Sequence, residues 1–180
     1  MTRNSLRKIE ELATELHGTQ KRKYSGDPYV THTIRVANTV KTYGGDDTMV
    51  YAALLHDVLE DTPTTESDLI SLLIDTKELN LSEAQDVVKL VKELTDVYTT
   101  DNYPGTNRKG RKELEAIRLG KVSPRAQTIK YADLLDNSED ILRNDPKFAE
   151  VYLKEKRDIL KYMDSGNTSL YKKCLDSLSY

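Results

Sequence analysis

Leu54-Leu55-His56-Asp57-Val58-Leu59-Glu60-Asp61-Thr62 places an ionisable pair inside an apolar run that also holds Met49, Val50, Ala52 and Ala53. Apolar residues surround that pair almost all the way round, so the spacing predicts one buried helix ending before Pro63. Burying a carboxylate without compensation costs several kcal/mol, so Asp57 needs a partner. A divalent metal satisfies an adjacent His and Asp together. Two plainer arrangements serve the same pair: a hydrogen bond between the side chains, or a cap at a helix end.

Outward from this stretch, nearly every periodic segment has the helical period and none alternates as a strand. Leu6, Ile9, Leu12, Ala13 and Leu16 mark a first amphipathic helix, and Val30, Ile34, Ala37 and Val40 a second that stops near Gly44-Gly45. The helix of the opening stretch is the third. Leu69, Ile70, Leu73 and Ile74 predict a fourth. A fifth carries Val87, Val88, Leu90, Val91 and Leu94, with Ser82-Glu83-Ala84-Gln85 as its expected capping box. Residues 95 to 107 contain Asp101-Asn102-Tyr103-Pro104-Gly105 and form a long polar connection, either functional or mobile. A helix over about Arg108 to Leu119 follows. Ser123-Pro124 and Asp145-Pro146 are helix starts with proline at the first helical position; the second helix is expected to reach about Met163, before a last short one. The expectation is a single all-α domain over residues 1–180, of about nine helices.

At 180 residues the chain can bury one well-packed core. A net charge of −3 gives no basic footprint, so no nucleic-acid partner is expected. No apolar stretch has transmembrane length and Met1 to Glu11 is polar, so neither a membrane nor a signal peptide is expected. The single cysteine, Cys174, excludes an intrachain disulfide and suits a reducing cytoplasm. Its neighbours Leu170, Leu175 and Leu178 assign it to packing rather than to nucleophilic chemistry. Oligomeric state is left open.

Three further elements bear on the His56-Asp57 pair. His32 lies at the second helix within Pro28-Tyr29-Val30-Thr31-His32, and Asp133 is an acid inside the largely apolar Ile129-Lys130-Tyr131-Ala132-Asp133-Leu134-Leu135. With His56 and Asp57 they would make a two-His, two-Asp site. Such mixed ligands suit Mn²⁺, Fe²⁺, Co²⁺ or Zn²⁺, and four protein ligands leave an open position only at five- or six-coordinate ions. An open position allows the ion to activate water near neutral pH. Glu60 is four residues after His56, and Asp61 four after Asp57, so on one helix both extend the ligand face by a turn. They could orient water and pass a proton to a leaving oxygen, or simply form an exposed acidic helix end. Lys130 and Asn137 flank Asp133 at spacings of three and four. The lysine could meet a phosphate or merely pair with Asp133, and the asparagine could hold a ligand or a ribose hydroxyl.

The set resembles the HD superfamily of metal-dependent phosphohydrolases, and within it the RelA/SpoT-type alarmone hydrolases in their small single-domain form. The segments SGDPYVTHTIRVA (25–37) and AALLHDVLEDT (52–62) are similar to the family's first two ligand segments. ELTDV (93–97) and NRKGRKELEAIRLGKVSPRAQTIKYADLLDN (107–137) resemble its later blocks, so the likeness spans roughly residues 19 to 143 and leaves 144–180 as C-terminal helices. Glu60-Asp61 is the specific part, absent from most HD phosphohydrolases. Thr33 departs from the usual proline, and ADLLDN (132–137) replaces the ADRLHN of long bifunctional enzymes, removing a charge near the pocket.

The resemblance implies an HD-type helical bundle in which His32, His56, Asp57 and Asp133 bind one Mn²⁺, another divalent metal being an alternative. It gives Glu60 and Asp61 to the water and the leaving group, and Asn137 to the nucleotide. Arg22, Lys23 and Tyr24 would lie over the base, Asn107, Arg108 and Arg111 would reach phosphates, and Arg22, Lys23, Arg108, Arg111 and Lys130 would together meet a polyanion; a solvated helix start accounts equally well for any one residue of the cluster at 107–111. The expected reaction is 3′-pyrophosphate hydrolysis of guanosine tetra- or pentaphosphate, and hydrolysis alone, with no synthetase domain. Two rivals stand beside it. One is a phosphatase of another nucleotide (the NADPH 2′-phosphate, or 3′- or 5′-nucleotides), the other a non-catalytic nucleotide-binding or antitoxin-like module.

Overall fold

The computed structural model describes residues 3–178. Among them the regular structure is helical, with one isolated antiparallel bridge between Lys21 and Pro28. The helices are α1 (Arg3–His17), α2 (Val30–Thr42), α3 (Asp47–Leu55), α4 (Val58–Asp61), α5 (Glu66–Asp75), α6 (Leu81–Leu94), α7 (Arg108–Leu119), α8 (Pro124–Asn144), α9 (Pro146–Leu160) and α10 (Thr168–Asp176). None is long and apolar enough to cross a membrane. The chain divides into two compact units, one ending at Thr95 and one beginning at Asp96.

In the first unit α3 packs against α1, α2 and α6, and α5 packs on α6. Every residue from Met49 to Leu55 is buried, as the all-round apolar pattern requires. Asp46 caps this helix by accepting from Met49 N at 3.0 Å.

The single helix expected to run through His56-Asp57 is broken there. His56 Nδ1 lies 2.8 Å from the Ala53 carbonyl, the acceptor a continuous helix would offer to Asp57 N–H. Asp57 takes φ −97°, ψ −3°, and its own carbonyl then accepts from Glu60 N and Asp61 N to start α4. The nine expected segments thus become ten, with α3 and α4 as two halves of one. Asp57, just before α4, and Asp61, its last residue, keep their one-turn relation, Asp61 N donating to the Asp57 carbonyl. His56 and Glu60 straddle the break and are not stacked on one helix.

One cap also differs from expectation. The box on α6 belongs to Asn80, not Ser82: Asn80 Oδ1 accepts from Glu83 N at 3.1 Å, and Glu83 Oε2 accepts from Asn80 N at 2.8 Å. A second box, Thr65 with Asp68, opens α5; these bonds to Thr65 hold the Asp68 carboxyl below the usual value.

In the second unit the 21-residue α8 packs against α9 and α10, and α7 against α9. Ser123 and Asp145 cap α8 and α9 as the sequence predicts, by accepting from Ala126 N and Phe148 N. α9 stops at Leu160, short of Met163, whose carbonyl accepts instead from the Tyr131 hydroxyl at 2.7 Å. Cys174 is buried and donates to the Tyr131 carbonyl, in keeping with a packing role; burial pushes its thiol up to about 11.

Candidate functional site

His32 on α2, together with His56 and Asp57 at the α3–α4 break, offers three ligand atoms within 4.8 Å of one another. Both histidines are buried and Asp57 is half-buried. Asp57 Oδ2 lies 3.0 Å from His56 Nε2 and 3.7 Å from His32 Nε2.

The hydrogen-bonding roles follow from chemistry. A carbonyl only accepts, so His56 Nδ1 carries the hydrogen in its bond to Ala53. In the neutral ring Nε2 is then a lone pair aimed at a carboxylate oxygen. Two acceptors 3.0 Å apart repel unless a cation or a second ring proton sits with them. A metal ligand histidine is normally fixed in this way, with its other nitrogen donated to a carbonyl. The donor set of two imidazoles and a carboxylate therefore fits a divalent first-row ion.

Three residues that the sequence reading did not single out build the surroundings. The Tyr29 hydroxyl donates to Asp57 Oδ2 at 2.7 Å. Gln20 Nε2 donates to Asp61 Oδ2 at 2.9 Å. His17 Nδ1 sits 2.8 Å from Gln20 Oε1, and its ring lies 4.8 Å from that of Tyr29. Their signal was position: Tyr29 precedes His32 by three residues, and Gln20 lies in the loop leading to it.

Glu60 and Asp61 are exposed. Arg22 is buried with its guanidinium 5.7 Å from the Tyr29 ring centre, and Lys23 Nζ lies 5.1 Å from that of Tyr24. Both rows of contacts hold the 20–29 loop, which also turns through Gly26 at φ +77°.

Asp133, the fourth expected ligand, belongs to the second unit and is buried on α8. Its Oδ2 pairs with Lys130 Nζ at 2.9 Å and its Oδ1 accepts from Asn137 Nδ2 at 2.5 Å. All three line a cavity of about 170 Å³ with Asp96, Glu115 and Lys156. The other expected substrate contacts are engaged within this unit. Arg108 makes a two-pronged pair with Glu155, both bonds 2.9 Å. Arg111 donates to the Thr106 carbonyl, and Asn107 Oδ1 caps α7 by accepting from Gly110 N at 2.9 Å. A larger cavity of about 590 Å³ in the same unit borders Arg108 but not Lys130, Asp133 or Asn137.

The family profile described as HD domain matches residues 10–160. A guanosine-3′,5′-bis(diphosphate) 3′-pyrophosphohydrolase of Xenopus tropicalis is 35% identical over 138 residues, 75% of this chain and 68% of that protein. One of the same name from Drosophila melanogaster is 36% identical over 133 residues, 72% of this chain and 65% of that protein. The corresponding Aquifex aeolicus protein is 34% identical over 132 residues but is much longer, the match covering 17% of it. Among solved structures, a metazoan orthologue of SpoT described as hydrolysing ppGpp superposes with a TM-score of 0.80 at 28% identity, covering 98% of this chain and 95% of that one. A Listeria monocytogenes protein shares the fold, with a TM-score of 0.64 at 21% identity over 87% of this chain and 96% of that one. A broken helix carrying His56-Asp57 beside His32, in a chain matched by the HD profile over most of its length, has one consistent assignment: the protein belongs to the HD domain family.

Proposed function

We propose that the protein is a divalent-metal-dependent 3′-pyrophosphohydrolase of guanosine tetra- and pentaphosphate, releasing GDP or GTP together with pyrophosphate. The carrying observation is the convergence of His32, His56 and Asp57, with His56 Nδ1 committed to the Ala53 carbonyl so that Nε2 is left to face Asp57, in a chain whose relatives bear that activity in their names. Asp133 is the fourth ligand in this reading and Mn²⁺ the metal. The profile match over residues 10–160 supports treating the whole chain as one catalytic domain, and the lone buried Cys174 suits a cytoplasmic setting.

A divalent ion at this position supplies Lewis-acid activation of water and of the phosphoryl group. The chain's own residues do the rest. Tyr29 holds Asp57 by its hydroxyl, and the Ala53 carbonyl holds His56. Water forms a bond to the 3′-phosphorus nearest the ribose while the bond from that phosphorus to the ribose oxygen breaks. Of Glu60 and Asp61, one accepts the water proton and the other delivers a proton to the departing oxygen. Lys130, Arg22 and Lys23 neutralise phosphate charge and Asn137 meets the nucleotide.

A second reading keeps the site and changes the substrate to a less heavily phosphorylated nucleotide. It is favoured by the engagement of Arg108 with Glu155 and of Arg111 with Thr106. One panel separates the two: guanosine tetraphosphate, guanosine 3′-monophosphate, NADPH and 5′-mononucleotides, each with Mn²⁺ and with product identification. Pyrophosphate and GDP from the tetraphosphate, with the 5′-diphosphate untouched, is the expected outcome. Orthophosphate released faster from NADPH or a mononucleotide overturns the first reading in favour of the second.

A further inference from the structure

The third histidine of the chain has no place in the ligand set, yet it is buried and touches both branches of the site. Its ring packs on Tyr29, whose hydroxyl holds Asp57. Its Nδ1 meets Gln20, whose amide holds Asp61. We propose that His17 and Gln20 are positioning residues for Asp61, fixing that exposed carboxylate in one orientation for proton transfer. The inference rests on the role given to Asp61 above.

The hydrogen bonding leaves a single consistent arrangement. An ionised Asp61 only accepts, so the Gln20 group facing it must be the NH₂. The opposite face of the same amide is then the carbonyl oxygen, and His17 Nδ1 must carry a hydrogen to donate to it. Turning the amide over would set two acceptors against each other at Asp61. The carboxylate thus sets the amide, and the amide sets the imidazole.

The unit is also anchored. Gln20 N donates to the His17 carbonyl and the Gln20 carbonyl accepts from Tyr29 N, both at 2.9 Å, so the residue is held on both sides of its side chain. His17 Nε2 is buried and meets no hydrogen-bond partner among the described residues. The ring's polar interaction is therefore spent wholly on Gln20, its faces on packing. A surface aspartate on the four-residue α4 otherwise samples several rotamers. Holding it by Oδ2 leaves Oδ1 for water or the leaving oxygen. Misplacement by about 1 Å costs an active site on the order of a hundredfold, which is the upper bound for losing such a support.

A purely structural role, closing the C-terminal end of α1, predicts different behaviour from a positioning role. The test measures kcat and KM for guanosine tetraphosphate with Mn²⁺, beside thermal unfolding, for five variants. Gln20→Ala is expected to lower kcat about tenfold with KM within about twofold, and to add nothing in an Asp61→Asn background, because the two act as one unit. His17→Phe keeps the ring against Tyr29 and loses the donor; it should match Gln20→Ala. His17→Asn keeps a donor near Nδ1 and should recover most of kcat despite losing the ring. As a readout independent of turnover, the imidazole nitrogen NMR signals of His17 should show hydrogen at Nδ1, a preference lost in Gln20→Ala. Normal kcat in Gln20→Ala beside a defective Asp61→Asn overturns the positioning role alone, as do additive losses in the double variant. Normal kcat in Asp61→Asn overturns the role of Asp61, and the positioning proposal with it.

Discussion

His56 Nε2 and Asp57 Oδ2 face each other at 3.0 Å, while the other imidazole nitrogen is committed to the Ala53 carbonyl. Sequence neighbours inside one regular helix point about 100° apart and do not face each other. At the junction of α3 and α4 both side chains meet at one point. Tyr29 bonds the same oxygen of Asp57 and so orients the carboxylate.

The metal prediction follows from that orientation. His56→Ala and Asp57→Ala should abolish tight Mn²⁺ binding and hydrolysis. Tyr29→Phe removes only the hydroxyl and should weaken Mn²⁺ by about tenfold or more, the usual effect of losing a group that orients a ligand. Titration calorimetry of the three variants checks this. Unchanged Mn²⁺ affinity in all of them would sink the ligand assignment.

Glu60→Gln and Asp61→Asn should each lower turnover about a hundredfold or more, the usual contribution of a general acid or base. Bound metal and KM should change much less, since neither acid is assigned as a ligand. Loss of stoichiometric metal in either variant would move that carboxylate into the ligand set.

The capping of α6 gives a stability test. Asn80 Oδ1 accepts from Glu83 N, whereas Ser82 lies two residues inside the helix start. Asn80→Ala should cost about 1 kcal/mol, and Ser82→Ala should be close to neutral. Urea unfolding of the pair settles which residue is the cap. A larger loss from Ser82→Ala would contradict the hydrogen bonding described here.

The helices are legible in this sequence, whereas the residue that caps α6 is not. Periodicity marks each helix, because burial of Val87, Val88, Leu90 and Val91 on one face leaves a 3.6-residue signature. It does not say which of Asn80 and Ser82 leaves the helical backbone first, since each is followed by a plausible third-position partner. The proline starts at Pro124 and Pro146 carry their own backbone restriction and were therefore readable to the residue. The candidate ligands His32, His56 and Asp57 are legible as polar groups set in apolar runs. Gln20 and Tyr29 are not, because their side chains reach Asp61 and Asp57 across 41 and 28 residues of chain, and His17 is not, because it acts only through those two; no local pattern encodes such contacts. The break at His56 was hidden for a related reason: an imidazole took a backbone carbonyl.

Lys156 supplies a prediction with a definite pH sign. Its ammonium is fully buried and donates to Ser138 Oγ at 2.9 Å and Ser177 Oγ at 2.6 Å. Burial pushes its pKa below the ordinary 10.5, only partly offset by Cys174, Glu139 and Asp133. The unfolded chain therefore binds more protons between the folded and unfolded values, and stability rises with pH across that window. The destabilisation is fully present below the folded value and is gone above 10.5. Both serines keep carbonyl acceptors, Leu134 and Cys174, when the amine is removed. Lys156→Met should thus be more stable than the parent at pH 7, by about 1 kcal/mol or more. The advantage should shrink as the pH approaches 10. Urea unfolding at several pH values checks both parts, and an advantage that grows with pH would show the sign to be wrong.

For Arg108 the proposed substrate contact is open to a direct test. Its guanidinium grips Glu155 with two bonds, but Arg108 itself is exposed, so solvent screens the pair and it holds the fold only weakly. A guanidinium that exchanges a carboxylate for a phosphate keeps the same two-pronged geometry. The exchange is worth making only for a substrate that extends far enough to reach it. Arg108→Ala is therefore expected to raise KM for guanosine tetraphosphate by about tenfold while changing that for guanosine 3′-monophosphate by less than about twofold. Glu155→Gln weakens the competing carboxylate, and should leave the tetraphosphate KM equal to or below that of the parent. Steady-state kinetics on both substrates separates the outcomes. If Arg108→Ala shifts the two KM values in parallel, or shifts neither, the Arg108–Glu155 pair is structural and the phosphates are met by Lys130, Arg22 and Lys23 instead.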